Sequence, residues 1–397
     1  VKKRSIYPLL VERLNEPRRF IQVLLGPRQV GKTTLALQVG EELGIPYHYA
    51  SADLATLQDL SWLRQQWETA RSKAHSVKRA LFIVDEVQKI PDWSSLIKSQ
   101  WDQDSREKTN LSVLILGSSP WLVQKGLSES LAGRFELIHA THWSYDEMKN
   151  TFGWTLDRFL YFGGYPGAAP LADERDASRF LQYVNDSLIE TTLSRDILLM
   201  TQINKPVLLR RLFQFGCQYS GQILSFTKML GELHEAGNTT TLAHYLDLLA
   251  GAGLICGLQK YSAAPIRQRN SSPKLTVFNT ALMSAQSSLS FVEAKQNPIF
   301  WGRLVESAVG AYLVNAVRGT QIELFYWREA NFEVDYVLRL GDELLAIEVK
   351  SNSDRLKSID SFVQQFHPSR ILLVGKEGIH LEDFLTSPLI RFFGKTG

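Results

Sequence analysis

The stretch GPRQVGKTT, residues 26–34, constrains this chain more than any other, because it joins the apolar run IQVLL to a helical pattern. Gly26 and Gly31 let the backbone wrap closely enough to aim successive amides at one point, and the new helix that follows adds its positive end. A phosphate needs that arrangement. Gly26, Pro27, Arg28, Gln29, Val30, Gly31, Lys32, Thr33 and Thr34 therefore read as a triphosphate-binding loop, with ATP the expected nucleotide. Lys32 is expected to neutralise the β- and γ-phosphates, and the Thr33 hydroxyl to take a place on Mg²⁺. A chance glycine-rich turn is the competing reading.

Such a loop belongs on a buried parallel sheet, and residues 21–26, 80–86 and 111–119 are apolar enough on both faces to be its strands. The second run ends in Asp85 and Glu86. Asp85 is expected to hold Mg²⁺ through water and Glu86 to polarise the attacking water, unless the two are merely solvated acids. The third run ends in Gly117-Ser118-Ser119, where Ser118 or Ser119 either reaches the γ-phosphate and lytic water or caps the next helix. Arg134, in SLAGRFE, is either an arginine finger for a neighbouring subunit or an ion-pairing arginine; Arg195, in SRDI, competes for the finger role.

A chain of 397 residues has room for two to four domains. With 44% hydrophobic and 21% charged residues it buries enough surface to exclude disorder as its main state. Apolar runs of about 18 residues are missing, so no membrane-spanning helix is expected. The N-terminal residues return to charge before a signal core can form, and there are only two cysteines, Cys217 and Cys256, both in apolar surroundings. A cytoplasmic protein is expected. Its net charge of +3 is too mild to announce nucleic-acid binding, which local clusters must carry. The histidines show no metal-ligand spacing.

The expected organisation is an α/β P-loop core over residues 1–143, a helical lid over 144–204 broken at FGGYPGAAP, and a winged helix over 205–262. A last α/β unit fills 263–397. The third winged-helix helix, opened by capping threonines, would present Thr239, Thr240, Thr241 and His244 to DNA. Lacking Arg and Lys, it suits backbone contacts better than base reading. Lys260, Arg267, Arg269 and Lys274 would lie along a phosphate track on an exposed basic connection. A winged helix packed only against protein is the alternative.

GPRQVGKTT, FIVDEVQKIPDW, LGSS, LAGRFE and GGYPG occur in that order in prokaryotic AAA+ superfamily ATPases with a C-terminal domain of unknown function, and the chain resembles them over nearly its whole length. The resemblance implies a P-loop NTPase core of the additional-strand class, a winged helix and a restriction-endonuclease-like tail similar to PD-(D/E)XK nucleases and Holliday-junction resolvases. Asn279, in KLTVFNTAL, stands where that family usually carries aspartate.

Independently, Asp335 in FEVDYVL and Glu348 in LAIEVK fall on two β-type segments that can converge them on one divalent metal. Lys350 shares a strand face with Glu348, and Glu306, in GRLVESAV, matches the further acid of the nuclease-like pattern. Chance alternation on a half-exposed strand gives the same letters. The reading as a whole is an ATP-hydrolysing, Mg²⁺-dependent, oligomeric DNA motor or remodeller, a ring being plausible, acting on branched DNA such as Holliday junctions. The alternative is a nucleotide-controlled signalling or defence switch with a nuclease-like or protein-binding tail.

Overall fold

Strands β1 (Ile21–Leu25), β3 (Ala80–Asp85) and β4 (Leu111–Gly117) are buried at every residue, as their unbroken apolar sequences require. The computed structural model describes residues 3–53, 59–118, 127, 130–198, 203–233, 238–262, 271–349 and 353–394. Ser119, Arg267, Arg269 and Lys350 lie outside the described residues.

In the first of two units, Val1–Thr141, the sheet is parallel with strand order β2-β3-β4-β1-β5. β4 thus intervenes between the strand that leads into the glycine loop and the strand that ends in Asp85. The edge strands β2 (Tyr47–Ser51) and β5 (Phe135–His139) are only partly buried. Side chains alternate between two cores: Val23, Phe82, Val84 and Val113 pack with Trp67 and Trp101 on one face. Leu24, Leu81, Ile83 and Leu114 pack with Leu10, Leu35 and Ala36 on the other. Helices α1 (Tyr7–Asn15) and α2 (Lys32–Glu42) serve the second face; α3 (Leu60–Val77) and α4 (Trp93–Arg106) serve the first.

In the second unit, His142–Gly397, a single core runs from Met148 to Leu304. It takes in α5 (Tyr145–Phe152), α6 (Leu156–Phe162) and α7 (Ser178–Tyr183), the last continued by π-helical turns to Leu198. Three further helices share it, α8 (Pro206–Gln218), α9 (Phe226–Leu233) and α10 (Thr239–Gly251), followed by an antiparallel ribbon of β6 (Ile255–Leu258) and β7 (Lys274–Val277). The cap of α10 is Asn238, whose Oδ1 accepts from the Thr241 amide at 2.7 Å, and not one of the threonines expected to open it. Short helices α11 (Ala281–Ala285) and α12 (Phe291–Gln296) lead into α13 (Pro298–Ala316).

Helix α13 covers one face of a four-stranded sheet of order β11-β10-β9-β8, through Val309 and Leu313 against Tyr336, Leu338 and Ile347. Its close approach depends on Gly310, where a Cβ would stand 2.6 Å from the Tyr336 hydroxyl. β8 (Glu323–Glu329), β9 (Phe332–Leu340) and β10 (Glu343–Val349) are antiparallel, and β11 (Arg370–Val374) joins β10 in parallel. Between them α14 (Ser353–Phe366) sets Phe362 against Trp327 and Val337 on the opposite face.

Candidate active site

The parallel register places Leu25 beside Gly117 and Asp85 beside Leu116, so the carboxyl ends of β1, β3 and β4 open on one edge. Ligands of open α/β sheets bind at such an edge. There the glycine loop turns from β1 into α2. Gly31 takes φ +85°, and a Cβ on Gly26 would meet the Ala140 carbonyl oxygen at 1.9 Å, so neither position admits a larger residue without rearrangement. Pro27 and Val30 are buried, Arg28 is half-buried, and Gln29 and Thr34 are exposed.

Lys32 is buried and donates to the carbonyl oxygens of Gly26 (2.9 Å) and Pro27 (2.8 Å). The Thr33 hydroxyl donates to Asp85 Oδ2 at 2.7 Å, and Tyr49 from β2 donates to the same oxygen at 3.1 Å. Burial and the adjoining Asp85 charge push the Tyr49 phenol up to about 12, so it stays a donor. Glu86 holds a left-handed backbone, φ +55°, and its Oε2 accepts from the Ser118 hydroxyl (2.7 Å) and from Gln88 Nε2 (2.6 Å). Burial pushes the Glu86 carboxyl above the usual carboxylate range, against the opposing pull of Lys32, the Ser118 hydrogen bond and Arg28.

Lys32, Thr33, Asp85, Glu86 and Ser118 are thus brought together. Ser118, expected at the γ-phosphate or lytic water, has its hydroxyl on Glu86. Tyr49 escaped sequence reading; it precedes Asp85 by 36 residues and only the pairing of β2 with β3 brings it there. The hydroxyl and carboxylate oxygens of Thr33 and Asp85 suit Mg²⁺, which prefers hard oxygen ligands. Arg134 forms a two-bond ion pair with Asp102, 2.9 and 3.1 Å, the ion-pairing alternative of the two weighed for it. Arg195 is exposed on a π-helical turn.

In the second unit the acids also gather, around an unexpected cation. Lys274 was expected on an exposed phosphate track. It is fully buried at the start of β7, its Nζ 3.0 Å from Glu306 Oε1, 3.2 Å from Asp335 Oδ1 and 3.4 Å from Glu333 Oε1. Burial draws the ammonium toward neutrality, but Asp335 and Glu306, with Tyr336 and Glu333, outweigh it and hold its pKa well above the ordinary lysine value. Asp335 Oδ2 accepts from the Val349 amide at 2.9 Å, and Glu348 Oε2 lies 3.4 Å from the Asp335 amide nitrogen. No group of three or more His, Cys, Asp or Glu side chains is arranged to hold a metal ion among the described residues.

Thr239, Thr240 and His244 are exposed on α10; Thr241 and Lys260 are half-buried. Asn279 is buried, its Oδ1 accepting from the amides of Gly164 and Ala281, both at 3.1 Å, while its Nδ2 meets His142 Nδ1 at 3.2 Å. It ties the GGYPG turn to α11. Burial pushes the Cys256 thiol up to about 12 and Cys217 higher, which disfavours the thiolate at both. No helix among the described residues is long and apolar enough to cross a membrane.

Residues 18–149 match the family model described as an AAA domain, and residues 153–293 and 301–389 match two domains of unknown function, DUF8612 and DUF4143. Uncharacterized proteins of Mycobacterium bovis and Mycobacterium tuberculosis are each 28% identical to the chain over 340 residues, covering 84% of it and 70% of their own length. Among solved structures, the Thermotoga maritima RuvB Holliday junction branch migration motor covers 63% of this chain and 87% of its own, at 18% identity and a TM-score of 0.31, too loose a likeness to carry a functional inference. With the glycine loop, the intervening strand and the acidic strand end in place, residues 18–149 form a P-loop domain of the AAA type.

Proposed function

We propose that the chain hydrolyses ATP with Mg²⁺ at the edge formed by β1, β3 and β4, and that its second unit turns this cycle into the handling of DNA. The observation that carries the reading is the Thr33–Asp85 contact beside the buried Lys32 and Glu86. Lys32 and the amides of residues 29–33 bind phosphate oxygens, while Thr33 and Asp85 would hold Mg²⁺, which when bound would neutralise charge on the phosphates. Tyr49 keeps Asp85 oriented. Glu86 takes the proton of the attacking water, a task that a raised pKa favours, and Ser118 acts through Glu86 as a positioning residue.

In this reading residues 1–143 are the engine, 144–204 its helical lid, 205–262 a winged helix and 263–397 a nuclease-like tail. A homo-oligomer, in the form of a ring, receives Arg134 in trans once its pair with Asp102 opens; Arg195 is the second candidate finger. Thr239, Thr240, Thr241, His244 and Lys260, with Arg267 and Arg269, contact DNA backbone, and branched DNA such as a Holliday junction is the first substrate to try. The test is phosphate release by wild type and Lys32→Ala, with no DNA and with linear, single-stranded and four-way DNA. Several-fold stimulation by four-way DNA, absent from Lys32→Ala, is expected; ATP turnover indifferent to every DNA overturns the motor.

A second reading, a nucleotide-controlled switch whose tail binds a protein, draws support from Lys274. The cation expected on the phosphate track is engaged by carboxylates instead. Turnover indifferent to DNA is its expected result.

A further inference from the structure

The acids Glu306 from α13 and Glu333 and Asp335 from β9 surround one point, and that point is filled. Lys274 Nζ stands there with four oxygens at 3.0 to 3.4 Å: three carboxylate oxygens and the main-chain oxygen of Asp335. The Tyr336 ring closes one more side, its centroid 4.9 Å from Nζ, and the Tyr336 hydroxyl donates to the Glu306 carbonyl at 3.0 Å. A divalent ion bridging Glu306 and Asp335 would need their oxygens about 2.0 to 2.6 Å away. It would therefore take the volume of the ammonium. The two charges of such an ion would also be repelled by the buried ammonium in a low-dielectric interior.

We propose that the resident cation of this cluster is the chain's own Lys274 ammonium. The nuclease-like constellation then serves as a latch that ties the β6–β7 ribbon to the C-terminal sheet, and it takes no divalent metal while the lysine is in place. The latch joins the two parts of the second unit that would have to move together if the ribbon responds to nucleotide or partner. The cluster is not sealed from solvent: Glu306, Glu333, Asp335 and Glu348 line a cleft of about 390 Å³, so a metal offered in solution can reach the acids. This makes the exclusion testable on the intact chain, and it stands whether or not the P-loop hydrolyses ATP.

The experiment is Mn²⁺ titration of the full chain without nucleotide, followed by electron paramagnetic resonance of the free ion. Wild type, Asp335→Asn, Lys274→Ala and the Lys274→Ala, Asp335→Asn double variant are compared. Wild type and Asp335→Asn should bind equal amounts of Mn²⁺, which subtracts any ion held at the P-loop. Lys274→Ala should bind one ion more, lost again in the double variant, and its melting temperature should rise with Mn²⁺ while that of wild type does not. One Mn²⁺ bound by wild type and lost in Asp335→Asn overturns the proposal; so does a folded Lys274→Ala that gains no site. Should Lys274→Ala fail to fold, the comparison of wild type with Asp335→Asn still decides.

Discussion

Among the described residues, each of the two units buries a lysine beside acids, and the two lysines are held in opposite ways. Lys32 rests on two neutral carbonyl oxygens of its own loop, whereas Lys274 rests on three carboxylates brought from other elements. Neutral acceptors do not themselves cancel the ammonium's charge, which Glu86 also feels. A carboxylate cage cancels it. On the proposed function the same residue type is a ligand-binding group in one place and a structural counter-ion in the other, and the identity of its acceptors separates the two.

The strongest way to break this contrast is to remove the acid that works beside Lys32. Glu86→Gln should lower turnover by about 10²- to 10⁴-fold, the usual range for a lost general base, with nucleotide binding retained. Phosphate release and fluorescent-nucleotide titration separate the two effects. Next in size, Lys274→Ala should cost about 3 to 5 kcal/mol of stability in metal-free urea unfolding, because three acids lose their buried partner. Lys32→Ala, which strands two carbonyl oxygens and removes a cation that favours the ionised Glu86, should cost less, about 1 to 2 kcal/mol, in the same measurement. Equal losses would erase the distinction.

Two smaller effects sharpen it. Burial already holds Glu86 above the ordinary carboxylate range, and the Ser118 hydrogen bond favours its ionised form. Ser118→Ala should therefore move the acid limb of kcat to higher pH, not lower, and a pH–rate profile reads the sign. Tyr49→Phe removes one of two hydroxyl donors to Asp85 Oδ2. A loss of about 1 kcal/mol corresponds to roughly fivefold more Mg²⁺ for half-maximal turnover, with kcat nearly unchanged.

What could be read from the letters follows from how local each feature is. The glycine loop, its flanking strand and its helix are contiguous, and β3 and β4 announce themselves by unbroken apolar runs. The edge strands β2 and β5 did not, because YHYAS and FELIH are half polar and owe their pairing to neighbours far along the chain. Lys274 escaped for the same reason. Its burial is set by Asp335, 61 residues on, and nothing in PKLTV distinguishes a caged lysine from a solvated one. Arg134 and Asp102 are likewise 32 residues apart. The Asn238 cap was legible, since asparagine is among the preferred N-cap residues and directly precedes the threonines.

The left-handed backbone at Glu86 reaches beyond hydrolysis. A side chain in that region costs about 1 to 3 kcal/mol that glycine does not incur, and here the side chain is also an acid kept from water. Selection for heat resistance alone should therefore drift toward glycine at this position, and the hardiest descendants of this chain would be its idlest.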